Sequence, residues 1–503
     1  LPEEFGIFID GTWKRAGSDR YFETTNPYNG ETLALFPSCN KKDVDAAVAS
    51  AVKGYKIWRD IPAPLRGELL LEAALNLERH KEKLARTVTS EMGKIIAEAR
   101  GEVQEAIDFF KYIAGEGRRL FGETTPSELP DKFNMTVRLP KGPSALITPW
   151  NFPVSIPSWK MGAALISGCS VVLKPASDTP LSAAKFIEII GEAGFPPGVI
   201  NMITGSGKEA GVPLIQHPSI RAVSFTGGVE TGREVYTRGA ERLIQVHLEL
   251  GGKNAVIAME DANTELAVEG VLFGAFGTAG QRCTATSRLI VHRKIYEELT
   301  EQLAERARAF RIGDPADERT DMGPVINSRA KESIMKYIEA GKREGGNVLV
   351  GGNALEEGEY SRGNFIEPTI IETVHGTRIS VEEIFGPVLS VIRVENFEEA
   401  IEVANGVSYG LSSSIYTSNI NLAFKAINML ETGITYVNAP TIGAEIHLPF
   451  GGTKNTGTGG REAGSVAVEE FTELKSVFID YSNRLQKAQI DTEARFREKL
   501  RNT

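Results

Sequence analysis

Between Pro143 and Leu248 the chain alternates short apolar runs with amphipathic ones, a pattern that few folds satisfy. Segments 145–147, 170–174, 199–203, 220–225 and 243–248 read as strands, while 157–167, 181–193, 208–216 and 229–239 carry helical periodicity. Five strands separated by four helices predict a parallel sheet with right-handed crossovers, because parallel neighbours cannot be joined by a tight turn. Ligands of such sheets bind beyond the carboxyl ends of the strands. Here those ends are residues 148–152, 174–177, 204–207, 226–228 and 249–252. Gly205-Ser-Gly207-Lys-Glu-Ala210 matches the pattern G-x-G-x-x-G/A at a helix start, where unpaired N–H groups attract phosphate. The acidic ribose ligand that usually follows about 20 residues later is absent. Thr226-Gly227-Gly228 heads the next helix as a second phosphate cradle, and Lys174 ends its strand within reach of a ribose or phosphate. This edge is expected to hold a nucleotide.

The whole chain, 503 residues, is too long for one ordinary core; at about 150 residues per domain it suggests two to four. A net charge of −10 argues against nucleic-acid binding, which calls for a basic face. Cys39, Cys169 and Cys283 lie too far apart for a disulfide framework or a zinc site, the usage of a reducing cytoplasm. No apolar h-region follows the acidic start, and no stretch approaches the roughly 20 apolar residues of a membrane span. A cytoplasmic, multidomain protein is expected.

The pattern before residue 120 gives a short sheet-like opening, a helix capped by Asn40, and helices over 62–89 and 95–120. A second α/β block begins near 252: helix 262–278, strand 287–292, helix 296–310, strands 365–371 and 388–394, helices 397–404 and 422–430, and strand 435–437. Segment 465–480 is extended and ends in Val477-Phe-Ile-Asp480, an edge strand in need of a partner. The expected class is α/β. A Rossmann-like cofactor domain (1–120 and 140–251) joins a catalytic domain (252–452), with a small β element for oligomerisation (121–139 and 465–482) and a helical tail (483–503).

At the head of the second block, Gly280-Gln281-Arg282-Cys283-Thr284-Ala285 places a cysteine in a glycine-led turn between helix and strand. A packing cysteine more often lies inside an apolar run. Free backbone N–H groups and the adjacent Arg282 predict a thiolate, the nucleophilic form.

Taken together, these residues resemble the aldehyde dehydrogenase superfamily over nearly the whole chain. The motifs are Thr148-Pro149-Trp150-Asn151-Phe152-Pro153, Lys174-Pro-Ala-Ser177, Phe225-Thr-Gly227-Gly228, Leu248-Glu249-Leu250-Gly-Gly-Lys253, Gly280-Gln-Arg-Cys283, Glu383-Ile-Phe385-Gly-Pro387 and Pro449-Phe450-Gly-Gly452. The resemblance implies that the Cys283 thiolate adds to an aldehyde and that the Asn151 amide, with the Cys283 N–H, holds the oxyanion. Hydride then leaves for a nicotinamide, and Glu249 activates the water that hydrolyses the thioester. A glutamate at 249 favours release of the free acid over transfer to coenzyme A. Read without the resemblance, Asn151 is a turn residue and Glu249 a carboxylate at a strand end.

The resemblance also assigns Thr148, Pro149, Trp150, Lys174, Gly207, Gly227, Gly228, Leu250, Glu383 and Phe385 to the cofactor. Ser177 stands where a glutamate would repel a 2′-phosphate, which favours NADP and leaves NAD possible. Gly228 replaces a serine common among relatives. Phe152, Trp159, Thr284 and Phe450 correspond to a substrate tunnel. Arg282 could meet the far carboxylate of a semialdehyde or pair structurally. The stretches 443–447 and 460–464 resemble semialdehyde dehydrogenases, including those for 2-oxoglutarate semialdehyde. A dimer or tetramer, a small aldehyde, and no metal, nucleic acid or membrane complete the expectation. Two other readings stay open: a cysteine hydrolase pairing Cys283 with His247 or His447, and a non-catalytic binding protein of the same fold.

Overall fold

The computed structural model describes residues 2–501, and its two largest sheets have seven strands each. In the first, Ser144–Ile147, Val171–Lys174, Ile200–Met202, Ala222–Thr226 and Gln245–Glu249 are all parallel to their neighbours in that series. Their spatial order runs from Gln245–Glu249 through Ala222–Thr226, Ser144–Ile147 and Val171–Lys174 to Ile200–Met202. Chain order therefore reverses between Ser144–Ile147 and Ala222–Thr226. Loops leaving those two strands part in opposite directions and open a crevice at the switch point. Thr148 and Gly227 stand at its two lips. Beyond Ile200–Met202 the N-terminal hairpin Ile7–Ile9 and Thr12–Lys14 extends the sheet in antiparallel fashion.

The second sheet is ordered Asn347–Val350, Thr369–Glu372, Val388–Val394, Thr286–His292, Asn254–Ala258, Ser412–Tyr416 and Ile434–Val437. Only its first pair is antiparallel. Both sheets carry helices packed through buried apolar residues, with Trp58, Phe109, Phe110 and Phe186 in the first core and Phe276, Leu299 and Ile338 in the second. An α/β fold with two parallel-sheet layers is thus observed as expected.

Several local expectations are corrected. The helix read over 62–89 is two, Ala63–Arg79 and Lys81–Met92, because the chain bends at His80 (φ −105°, ψ 9°). The helix read over 208–216 opens as a wide turn, Gly207–Gly211, in which Ser206 C=O accepts from both Ala210 and Gly211 N–H. Pro213, lacking an N–H, cannot extend a regular ladder back into that turn. Strand 365–371 splits into Phe365–Ile366 and Thr369–Glu372 around Pro368.

Thr472–Asp480 finds its partner within the chain, pairing antiparallel along its length with Lys132–Pro140, which also carries Thr124–Pro126. Among the described residues the outer edge of Thr472–Asp480 has no strand partner, and Phe133, Leu139, Leu474 and Phe478 are exposed on this ribbon. The tail helix is Asp491–Arg501; the last two residues of the expected tail lie outside the described residues. Among the described residues no helix is long and apolar enough to cross a membrane.

Candidate active site

Helix Thr264–Phe276 ends at Gly277, and the next turn delivers Cys283 through an unusual backbone. Thr278, Ala279 and Gly280 all adopt positive φ (54°, 52° and 68°). Two of the three carry side chains, so the surroundings must hold the turn in place. They do so by hydrogen bonds. Glu98 accepts from Thr278 N–H (2.8 Å), and Gln281 reaches Thr278 O and Ile326 N–H. Asn254 donates to both Cys283 O (2.7 Å) and Ala285 O (2.9 Å) and accepts from Ser412 N–H. Thr441 donates to Thr284 O (2.7 Å). Gly280 admits no side chain: a Cβ there would lie 2.1 Å from Gly386 O.

Cys283 and Glu249 line one cavity of about 100 Å³, together with Thr226 and Leu250 from the sheet edge. Phe152, Trp159, Arg282, Thr284 and Phe450, the five residues expected at the substrate, line the same cavity. Trp159 and Phe450 meet edge to face at 5.2 Å. Asn151 is buried beside the cysteine turn, its Nδ2 donating to Gln281 O (3.0 Å). A primary amide has two N–H bonds, so one remains for an oxygen on the reacting carbon. Glu249 is held between glycines; a Cβ on Gly451 would come within 2.6 Å of its Oε1.

The electrostatics correct one expectation. Burial, then the negative charges of Glu249 and Glu383, push the Cys283 thiol up to about 12. Arg282 does not offset this, because its Nη2 donates to Glu98 (3.0 Å) and its Nε to Thr278 Oγ1 (2.9 Å). The resting residue is a thiol. Glu249 is raised well above the usual carboxylate range, first by burial and next by Glu462, which lines the same cavity. An acid so placed ionises late and is a competent proton acceptor once ionised.

Along the strand ends, the residues expected at a dinucleotide form an open edge. Thr148 and Thr226 bury hydroxyls that have no partner, and Lys174 Nζ, held down to about 8 by burial, donates only to Pro175 O. Nothing lies within 4 Å of where a Cβ would project from Gly207 or Gly228. Trp150 and Phe385 meet edge to face at 5.4 Å, bringing the first motif against the segment that carries Glu383. Glu383, raised to about 7 by burial, accepts from Gly252 N–H (2.9 Å). Ser177 is exposed and donates to Gly205 O (3.3 Å). Unpartnered hydroxyls, a buried lysine and two open helix starts fit a diphosphate flanked by riboses.

Neither histidine of the hydrolase reading belongs to the cavity around Cys283. His247 lines a separate surface cavity, and the His447 side chain is half exposed beside Glu445. Residues that sequence reasoning missed are Glu98, Glu105, Lys160, Asn254 and Glu462. Asn254 directly follows a quoted motif, Glu462 lies inside the quoted stretch 460–464, and Lys160 is the lone charge on an otherwise apolar helix, so these were within reach; Glu98 and Glu105 sit on a charged helix and look there like solvated residues.

A family model described as aldehyde dehydrogenase family matches residues 13–477. The chain is 40% identical to the alpha-ketoglutaric semialdehyde dehydrogenase of Bacillus subtilis, over 94% of its own length and 97% of that protein. It is 39% identical to the 2,5-dioxopentanoate dehydrogenase of Saccharolobus solfataricus, over 93% of its own length and 97% of that protein. Among solved structures it is similar to the NAD+ complex of an aldehyde dehydrogenase from Bacillus cereus, with TM-score 0.92 and 38% identity, covering 95% of this chain and 97% of that one.

Proposed function

The chain belongs to the aldehyde dehydrogenase family and oxidises aldehydes with a nicotinamide cofactor; from that premise we propose that Cys283, Glu249 and Asn151 carry the reaction and that the substrate is an anionic semialdehyde. The supporting observation is the cavity that Cys283 and Glu249 line together with Thr226 at the sheet edge, with the Asn151 amide at the cysteine turn.

The Cys283 thiol gives up its proton as sulfur adds to the aldehyde carbon, and Glu249 is the nearby base able to take it. The free N–H of Asn151 and the Cys283 N–H stabilise the negative oxygen that forms. A nicotinamide held along the sheet edge would supply the hydride acceptor for that carbon, leaving a thioester on Cys283. Water then attacks the resulting thioester, forming C–O and breaking C–S, while Glu249 takes the water proton. The clamped turn keeps the sulfur within reach through both halves.

Three features favour an anionic substrate. Arg282 lines the cavity and keeps Nη1 outside its bonds to Glu98 and Thr278. Glu105, in the same cavity, is pushed up to about 8 by burial and Glu102, so at neutral pH it is protonated and donates to a carboxylate rather than repelling it. The relatives named above act on alpha-ketoglutaric semialdehyde and 2,5-dioxopentanoate. The NADP preference rests on Ser177, and on Glu209, the carboxylate of the neighbouring turn, being neutralised by Arg20 at 2.6 Å. A homo-oligomer built on the free edge of Thr472–Asp480 agrees with the exposed Leu474 and Phe478.

Initial rates test the reading: aldehydes with and without a distal carboxylate, each with NADP and with NAD. The carboxylated aldehydes should show the higher kcat/KM, and Arg282→Ala should erase that advantage. Equal kcat/KM for both classes would reject the anionic substrate; Ser177→Glu leaving the cofactor ratio unchanged would reject the NADP argument.

A further inference from the structure

Oxidation of an aldehyde by this family balances as RCHO + NAD(P)+ + H2O → RCOO− + NAD(P)H + 2 H+, so two protons must leave a buried site in every turnover. One comes from the Cys283 thiol or the water that replaces it, the other from the acid product. Glu249 is poorly placed to discard them by itself: it is 4% exposed, and its Oε2 has no hydrogen-bond partner.

Behind it lies a buried polar chain that the chemistry above does not use. Glu462 shares the cavity with Glu249 and accepts from Lys160 Nζ. Lys160 also donates to Ser224 Oγ (2.9 Å), and Ser224 donates to Glu470 Oε2 (3.2 Å). Glu470 Oε1 lies 3.0 Å from His247 Nδ1, close enough to pair although the N–H is not yet aligned. His247 opens onto a surface cavity of about 610 Å³ that Cys283 does not line. The imidazole fills the place a side chain on residue 460 would need; a Cβ on Gly460 would lie 1.4 Å from its Cε1.

The charge balance of the cluster points the same way. Glu249, Glu462 and Glu470 face Lys160, Arg461 and one histidine; fully ionised acids with a neutral ring would leave a negative charge uncompensated in a buried space. Such a cluster lowers its energy by holding exchangeable protons. The charged groups facing the ring are Glu470 and Glu469 from Ser465–Glu470 and Arg461 from the preceding loop, with Lys160 and Glu462 behind.

We infer that His247 and Glu470 form the outlet through which protons collected by Glu249 reach solvent, by way of Glu462, Lys160 and Ser224. The inference rests on the proposed role of Glu249. His247 touches neither substrate nor cofactor; it is a relay acting through Glu249, and its removal should slow hydrolysis of the thioester while sparing its formation.

Pre-steady-state kinetics of His247→Ala and Glu470→Gln distinguish these steps. In both variants the initial burst of reduced cofactor should match the wild type, while the steady rate falls on the order of tenfold, less than the roughly 10²–10⁴ attached to a direct acid–base group. Added imidazole, able to enter the surface cavity, should restore the His247→Ala steady rate in proportion to its concentration. A wild-type steady rate in Glu470→Gln, whose side chain keeps its shape, would overturn the outlet. So would a slowed His247→Ala that imidazole leaves unchanged. A Glu249→Gln variant that turns over at the wild-type steady rate without accumulating a thioester would instead reject the thioester role of Cys283 and Glu249, so the two failures are told apart.

Discussion

The two sides of the catalytic cavity are built on opposite principles. On the cysteine side the turn is saturated: Glu98, Gln281, Asn254 and Thr441 satisfy the backbone around three left-handed residues. On the sheet-edge side buried polar atoms stand without partners, among them Thr148 Oγ1, Thr226 Oγ1, Asn151 Oδ1 and Glu249 Oε2. Unsatisfied buried groups are uncommon in folded proteins and cost about 1–3 kcal/mol each. On the proposed reading, the difference separates a part that must not move, where the covalent bond would form, from a part that a ligand would complete.

Replacing Cys283 with alanine removes the sulfur while leaving the open side intact. Turnover should vanish and cofactor binding persist, as followed by cofactor-induced thermal shift; lost binding would mean that the two sides are not separable. Asn254→Ala attacks the clamp, orphaning Cys283 O, Ala285 O and Ser412 N–H. We expect a loss of about 3 kcal/mol in chemical denaturation, with kcat reduced and cofactor affinity kept.

The open side responds to pH. Glu249 must be ionised to accept a proton, and both burial and Glu462 oppose that ionisation, so the steady rate should climb with pH through a raised pKa. Glu462→Gln removes the neighbouring negative charge, makes ionisation easier and should move this acidic limb downward by about one unit in the pH–kcat profile. An unmoved limb would assign it to another group. The gentlest probe is Thr226→Val, which deletes a hydroxyl with no partner. Cofactor affinity should drop a few-fold while the ligand-free protein keeps its stability, since no hydrogen bond is lost on folding. A destabilised ligand-free protein would show that the hydroxyl serves the fold.

The same contrast explains what could be read beforehand. The sheet edge was legible because strand, turn and helix signals recur there with a fixed period, and glycines mark the turns: all five strands were expected and are observed. Cys283 stood out through local sequence. The clamp around it did not, because its parts come from distant segments. Glu98 sits on a helix with four other acids, of which Glu102 and Glu116 are buried, so nothing local singles it out, and Ser412–Tyr416, a fully buried strand, begins with three serines and carries no strand signal. Ser413 and Ser414 are tolerated because Thr432, Thr435 and Ala439 O supply partners for their hydroxyls, and Asn254 accepts from the Ser412 backbone N–H. Arg282 illustrates the limit most clearly. Its place beside Cys283 suggested a thiolate, yet Glu98, 184 positions away in the chain, captures the guanidinium and the thiol is pushed up instead.

The central claim is that one sulfur holds the acyl group until an acid on the neighbouring strand releases it. Intact-protein mass spectrometry of Glu249→Gln, quenched after mixing with cofactor and a reactive aldehyde, tests it most directly. The account predicts an adduct of acyl mass on Cys283, formed with one equivalent of reduced cofactor and persisting. Undiminished steady turnover with no adduct would contradict it.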